Sequence, residues 1–276
     1  VTLWTNVGRT HTVNFDKLVF PHPDPLPEGE GGVRGESRMT DVQFASVEQA
    51  IAHEFGYFLE ETSKLAIVNG DSDLINKQLK RSKAKTKNVS QKSTEYHKVF
   101  KDHTEFKING KTYSINALLP KEASLSIQMA LVLLDYLKIK PDYSFFPRSG
   151  ISLRETKFFL PPGRCSLFKG IKNTTIIDSS YNATPDGVKS ILGMFDEYPS
   201  DKKWLVLGDM IELGNEEQEE HEKLAEVIVS MKLQKVILVG PRVSKYTYEI
   251  LKQVQDDKVI KFLMPKDALK YLLFHL

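Results

Sequence analysis

The residues with the most chemical potential stand together in DSSYNATPDGVKSIL, residues 178–192. An apolar strand pattern, TTIID, ends at Asp178. A short polar loop follows, and Thr184–Pro185 reads as a helix N-cap with proline in the first helical position. That order places Asp178, Ser179, Ser180, Tyr181 and Asn182 where a strand hands over to a helix, whose free N–H groups favour an anionic ligand. The same residues also suit an ordinary polar loop in which Asp and Asn make turn hydrogen bonds. Arg164, in PPGR, is either a surface arginine after a turn or a permanent cation able to grip phosphate with two parallel N–H bonds. Further upstream, Glu54 falls inside the helical arc set by Val47, Ile51, Phe55 and Phe58, which turns a carboxylate toward packed surface. Such a carboxylate needs a metal cation or a buried Arg or Lys beside it. His11, after the opening strand, is a structural residue or a ligand. Asn69 and Asp71 in VNGDSD read first as a polar turn, and His221, on one helix face with Leu224 and Ile228, reads first as a core-edge histidine.

The elements that must position these residues divide into two sets. Val1 to Thr5 predict a short strand, SVEQAIAHEFGYFLEE a helix capped by Ser46, LAIVNGD a strand, EFKINGKTYSI a hairpin turning at Asn109–Gly110, and ASLSIQMALVLLDYL a helix buried on most sides. The lysine-rich stretch 80–100 has little periodicity and predicts a solvated face or loop. Residues 17–42 carry Pro21, Pro23, Pro25 and Pro27 and then a Gly and Glu cluster, which excludes helix and ladder and marks a surface insertion. After FFLPPGRC, the best domain boundary, strands and helices alternate: TTIID, a helix from Pro185, KWLVLGD, a helix from Asn215, KVILVG, a helix around Lys245, VIKFL and a helix from Lys266. That βαβ repetition predicts a parallel sheet with its ligand edge at the strand carboxyl ends. With 276 residues, 41% of them hydrophobic, there is material for two cores. Thirty-eight Lys and Arg nearly balance 36 Asp and Glu, so no global field draws the chain to nucleic acid or an anionic membrane, and any basic site must be local. No apolar run approaches the roughly 20 residues of a spanning helix. The single cysteine, Cys165, has no partner for an internal disulfide, which fits a reducing, cytoplasmic setting.

Several of these segments, in order and spacing, resemble the Mur ligase family. DSSYNATP is similar to the DSYNANP signature of the branch that adds D-alanyl-D-alanine, and WLVLGDMIELG followed by His221 is similar to VLGDM.ELG with its downstream histidine. PPGR resembles the GR element at the junction of the central and C-terminal domains, and NVGRTH (6–11) the NIG..H element of the central domain. The resemblance implies an α/β protein: the end of a central ATPase domain over residues 1–160, with the insertion at 17–42, followed by a Rossmann-like C-terminal domain over 161–276, mainly parallel and incomplete at its end. It implies ATP and Mg²⁺ as cofactors. Arg164 would reach the ATP phosphates; Asn69, Asp178, Ser179, Tyr181 and Asn182 would border the nucleotide. His11 would contribute to a magnesium site, with Glu54 standing near the position of the family's carbamylated lysine once the insertion is excised. Arg164, His11 and Glu54 are thus the implied catalytic set, acting on UDP-N-acetylmuramoyl-tripeptide and D-alanyl-D-alanine in a cytoplasmic monomer without nucleic acid or membrane insertion.

The chain also departs from the pattern. Glu54 replaces a lysine, Ser179 stands where a second Asp is usual, and KEASLSIQMA lacks the HN..N residues that help hold adenine. No G-x-x-x-x-G-K-[ST] phosphate loop occurs, and the chain stops before the family's later KGS element, so both ends read as truncations and these 276 residues alone are expected to be catalytically incompetent. Two alternatives stay open: another ligase of the superfamily, such as a tripeptide synthetase or folylpolyglutamate synthase, against which YNATP with GDMIELG argues, or a decayed, non-catalytic nucleotide-binding protein.

Overall fold

The computed structural model describes residues 1–5, 44–140, 151–152, 160–255 and 257–276. The expected insertion at 17–42 and His11 lie outside them. In the first half, β1 (Thr2–Trp4), β2 (Leu65–Asn69) and β3 (Lys85–Val89) form a parallel sheet in the order β1-β2-β3, with Trp4 opposite Val68 and Leu65 opposite Lys85. β2 is buried along its whole length, as a parallel strand covered on both faces must be. The period of two splits its side chains. Ala66 and Val68 pack with Trp4, Leu59 and Ile75, while Leu65 and Ile67 pack with Val89, Leu125 and Met129 on the other face.

Three short helices cover the first face: α1 (Val47–Phe55), α2 (Tyr57–Glu60) and α3 (Asp73–Gln78). Ser46 caps α1 as expected, its hydroxyl accepting from the Gln49 N–H at 3.3 Å. The burial pattern on α1 corrects the helical-wheel expectation. Its buried stripe is Val47, Ala50, Ile51 and Ala52, whereas Glu54 is exposed and Phe55 and Phe58 are 45% and 59% exposed. The helix breaks at Gly56, so the wheel drawn through Phe58 spans two helices rather than one. Gly56 fits there because Arg81 lies over it: a Cβ would come within 2.5 Å of Arg81 Nη1, which donates to the His53 carbonyl at 2.7 Å.

The lysine-rich stretch contains two strands, so of its two readings the solvated face holds and the loop does not. β3 pairs with β2, and β4 (Thr94–Val99) pairs antiparallel with β5 (Thr104–Ile108), itself paired with β6 (Lys111–Ile115); β7 (Ile151–Ser152) adds in parallel. β3 buries only Val89, so backbone pairing to a buried neighbour defines it and its own side chains carry no strand signal. The β5–β6 turn falls at Asn109 and Gly110, both at positive φ (49° and 77°), the conformation that selects this dipeptide. Helix α4 (Ala123–Tyr136) lies across β2 and β5. It packs on two clusters, Leu125, Met129, Val132 and Leu133 in one and Ala123, Ile127 and Leu131 in the other, so only Ser126, Ala130 and the end of the last turn are exposed, as the apolar run predicts.

The second half runs β8 (Ser166–Lys169), β9 (Thr175–Asp178), α5 (Pro185–Glu197), β10 (Trp204–Gly208), α6 (Glu217–Val229), β11 (Lys235–Val239), a π-helical turn at Val243–Thr247, α7 (Tyr248–Gln255), β12 (Val259–Phe262) and α8 (Pro265–His275). β10, β11 and β12 form the expected parallel sheet in that order. Leu205, Leu207, Val236 and Leu238 pack with Leu192 of α5, Leu224 and Ile228 of α6 and Leu251 of α7 in one core. β9 differs from expectation: it pairs antiparallel with β8, Ser166 opposite Asp178. Lys172 and Asn173, at φ 49° and 62°, fold the chain back between the two strands, a local reversal that no crossover helix could supply.

Candidate active site

The loop leaving β9 and the turn entering β8 are tied together. The Tyr181 N–H donates to the Gly163 carbonyl at 3.2 Å, and the Arg164 guanidinium lies 4.4 Å over the Tyr181 ring. Gly163 is required twice over: its φ is +78°, and a Cβ there would approach the Tyr181 N and Cβ at 2.9 Å. The outcome is a guanidinium held over an aromatic face, exposed, and with no carboxylate partner among the described residues. Stacking leaves the N–H edge of Arg164 open toward solvent, the arrangement in which arginine meets phosphate.

The other residues of the loop divide by role. Asp178 Oδ1 accepts from the Ser180 N–H at 3.1 Å and from its hydroxyl at 2.7 Å, a turn-forming use of the carboxylate that leaves Oδ2 without a described partner. Asn182 is exposed, and Thr184 caps α5, accepting from the Gly187 N–H at 3.3 Å. Ser179 Oγ lies 3.9 Å from Cys165 Sγ. Burial pushes the Cys165 thiol up from its ordinary range, opposed only in part by the Ser179 hydroxyl. Thiol-reactive dyes are therefore expected to label Cys165 more than about tenfold more slowly than a free thiol at neutral pH, and at the ordinary rate after unfolding. Fast labelling of the folded protein would show that the loop does not cover it.

Below this loop the first two turns of α5 face the first half across a cleft of about 510 Å³, lined by Lys121 and Glu122 on one side and by Asp186, Lys189 and Ser190 on the other. The halves touch at named points. The Ser190 hydroxyl donates to Glu122 Oε2 at 2.5 Å, His97 Nδ1 lies 3.0 Å from Glu197 Oε2, and the Tyr198 hydroxyl donates to the Lys101 carbonyl at 3.4 Å. Val99 and Leu118 of the first half pack with Cys165 and Met194 of the second. Lys121, Glu122 and Lys189 were not singled out by sequence; the signal available was the polar start of the apolar helix in KEASL, read there only as a loss of family residues.

The remaining predicted residues are not all drawn into this region. Asn69 is buried and its Oδ1 accepts from the Asp71 N–H at 3.0 Å, while the Asp71 carboxylate accepts from the Ser90 hydroxyl and the Gln91 N–H, both at 2.6 Å. The turn reading of VNGDSD holds. Glu54 points to solvent, and its carboxylate has no protein partner among the described residues. An exposed carboxylate oxygen is the donor type that Mg²⁺ accepts alongside water. No group of three His, Cys, Asp or Glu capable of holding a metal occurs among the described residues.

At the carboxyl edge of the parallel sheet the side chains are committed to structure. His221 is fully buried; Nδ1–H donates to the Glu217 carbonyl at 2.7 Å and Nε2 accepts from the Met210 N–H at 3.2 Å, which fixes the neutral tautomer. Asp209 Oδ1 accepts from the Arg242 and Val243 N–H groups at 3.0 and 2.9 Å. Glu217, and then Asp209, hold the Arg242 guanidinium more firmly protonated than usual.

Residues 163–275 match the Mur ligase, glutamate ligase domain. Among curated proteins the chain is similar to UDP-N-acetylmuramoyl-tripeptide–D-alanyl-D-alanine ligases: 29% identical over 160 residues to that of Rickettsia prowazekii and 29% over 170 residues to that of Bacillus subtilis, covering 58% and 60% of this chain. The chain spans about a third of the length of these relatives, 34% and 35%. Its fold is that of the MurF ligase of Thermotoga maritima, solved in complex with ADP, with a TM-score of 0.65 at 19% identity over 83% of this chain and 52% of that one. The MurF of Acinetobacter baumannii superposes with a TM-score of 0.59 at 17% identity, over 76% and 45%. The Thermotoga match extends beyond the second half, so the expected α/β organisation covers both halves.

Proposed function

We propose that this chain is part of an ATP-dependent carbon–nitrogen ligase that adds D-alanyl-D-alanine to UDP-N-acetylmuramoyl-tripeptide in peptidoglycan precursor synthesis. The observation that carries it is Arg164, without a carboxylate partner among the described residues and stacked on Tyr181 of the loop between β9 and α5, within a domain whose matched relatives bear that activity in their names. The same relatives favour this reading over a tripeptide synthetase or folylpolyglutamate synthase. The domain division at about residue 160, a cytoplasmic location and a monomeric state belong to it.

In such a ligase a carboxylate oxygen of the tripeptide attacks the γ-phosphorus of ATP, forming an acyl phosphate and releasing ADP. The amine of D-alanyl-D-alanine then attacks the acyl carbon, phosphate departs, and the amine proton passes to phosphate or solvent. Arg164 would offer paired N–H donors to phosphate oxygens, and Tyr181 would hold it in place. Asn182 and Asp178 Oδ2 are open at the same loop for polar contacts to the nucleotide. Mg²⁺, held by Glu54 and by His11, would supply charge neutralisation at the phosphates. Closure of the two halves about the existing Ser190–Glu122 contact would exclude water from the acyl phosphate.

The test is phosphate release from ATP by the full-length protein containing these residues, with UDP-N-acetylmuramoyl-tripeptide and D-alanyl-D-alanine both present. Turnover that needs both acceptors and collapses in Glu54→Ala supports the ligase and the metal role of Glu54. Turnover unaffected by that substitution removes Glu54 from the site, and no turnover in a folded, full-length protein favours the decayed, non-catalytic alternative.

A further inference from the structure

We propose that the rim of the first-half sheet, around β3 and the end of α4, binds the surface of an anionic lipid membrane. Residues 77–92 hold seven cations, Lys77, Lys80, Arg81, Lys83, Lys85, Lys87 and Lys92, and no acidic residue, in a chain whose whole net charge is only +2. Arg81 is spent internally on Glu60 and the His53 carbonyl, but the six lysines are exposed and none pairs with a carboxylate among the described residues. Among the described residues β3 is an edge strand of its sheet, and the period of two sends Lys85 and Lys87 to the face that α4 covers, the side of Val89 and Leu65.

α4 brings further residues to the same place. Gln128, in its first half, bonds both backbone groups of Ser90, just past the end of β3. The helix therefore runs back toward the start of β3, where Leu133 packs on the cluster containing Leu65, the register partner of Lys85. Its C-terminus closes through Lys138 at φ 58°, which turns Leu137 and Ile139 outward, 51% and 50% exposed, between Lys138 and Lys140. Lys138 and Lys140 thus flank two protruding aliphatic side chains, with the exposed Asp135 and Tyr136 just before them, at the end of the helix that packs against β3.

Charge complementarity selects an anion, and the side-chain types select which. Residues 77–92 contain no aromatic on which bases could stack and their one arginine is occupied, which leaves Tyr136 at the end of α4 as the one aromatic named in the patch, against the several stacking platforms and free arginines that favour nucleic acid. Mobile lysines beside shallow aliphatic side chains make no demand on ligand shape and suit a fluid anionic headgroup layer, with the aliphatic tips entering its interface. This is adsorption from one side; no described helix is long and apolar enough to cross a membrane.

Co-sedimentation of the full-length protein with phosphatidylcholine vesicles, with and without phosphatidylglycerol, tests the assignment. Binding is expected only to the anionic vesicles, falling steeply as salt rises from about 0.1 to about 0.5 M. Each neutralised lysine is expected to weaken it about fivefold, so Lys83→Gln, Lys85→Gln and Lys87→Gln combined lose most of it. The same charge removed by Lys202→Gln, Lys252→Gln and Lys266→Gln in the second half should leave binding unchanged, with melting temperatures showing that both variants are folded. Equal losses in the two variants, equal binding to neutral vesicles, no binding, or tighter binding to an RNA oligomer than to anionic vesicles each overturn the proposal. Ligase turnover is independent of this outcome, so the two readings fail separately.

Discussion

Arg164→Ala is expected to lower acceptor-dependent phosphate release in the full-length protein by roughly a hundredfold or more, the effect of removing a preorganised donor from developing phosphate charge. The side chain has nothing else to do: it is exposed, unpaired among the described residues and held only by the face of Tyr181. Its loss should leave the melting temperature nearly unchanged. Arg164→Lys keeps the charge but loses both the planar fork and the stack, so an intermediate rate is expected, with the deficit larger in kcat than in the KM for ATP if the contact tightens in the transition state. Rates for Arg164→Ala within twofold of the unaltered protein would separate the Gly163–Tyr181 clamp from the chemistry and leave it as a packing device.

Gly240→Ala should be the most damaging small substitution, destabilising the second half by roughly 3 kcal/mol. Gly240 ends β11 at φ +128°, where L side chains are strained, and a Cβ there would meet the Asp209 carboxyl atoms at 2.6–2.7 Å. Asp209 cannot retreat without abandoning the Arg242 and Val243 N–H groups that open the following helical turn. Thermal or urea unfolding measures the loss. The diagnostic second variant is Asp209→Ala, which removes the clash but also the cap. Placed on the Gly240→Ala background, its cost should be smaller than on the unaltered chain, because the cap is already disturbed. Strict additivity of the two would show that the glycine and the carboxylate do not share one constraint.

The alternating second half was legible because its segments announce themselves locally: KVILV is a buried β-rich run and Thr184–Pro185 a helix start; Asn109–Gly110 marks a hairpin turn in the first half in the same way. β3 was illegible for the converse reason. Its lysines face solvent, and it is a strand only because β2 presents an open edge to it. Glu54 was misplaced by a wheel carried across Gly56, where Arg81, twenty-five residues later in the chain, packs over the backbone and the helix restarts.

At the candidate site the residue types belong to the sequence and their commitments to the tertiary structure. Asp178, Tyr181, Asn182 and Arg164 could be named from their order after a strand and before a capped helix, since that order alone brings a strand end and a helix N-terminus together. Which of them remain available for a ligand could not. Hydrogen bonding engages one oxygen of Asp178 in its own loop, ties Asn69 Oδ1 to the Asp71 N–H and seals His221 in the core, while Arg164 is left stacked and open. Local order determines which groups meet; only the packed fold, by satisfying some polar atoms and not others, decides which are left to act.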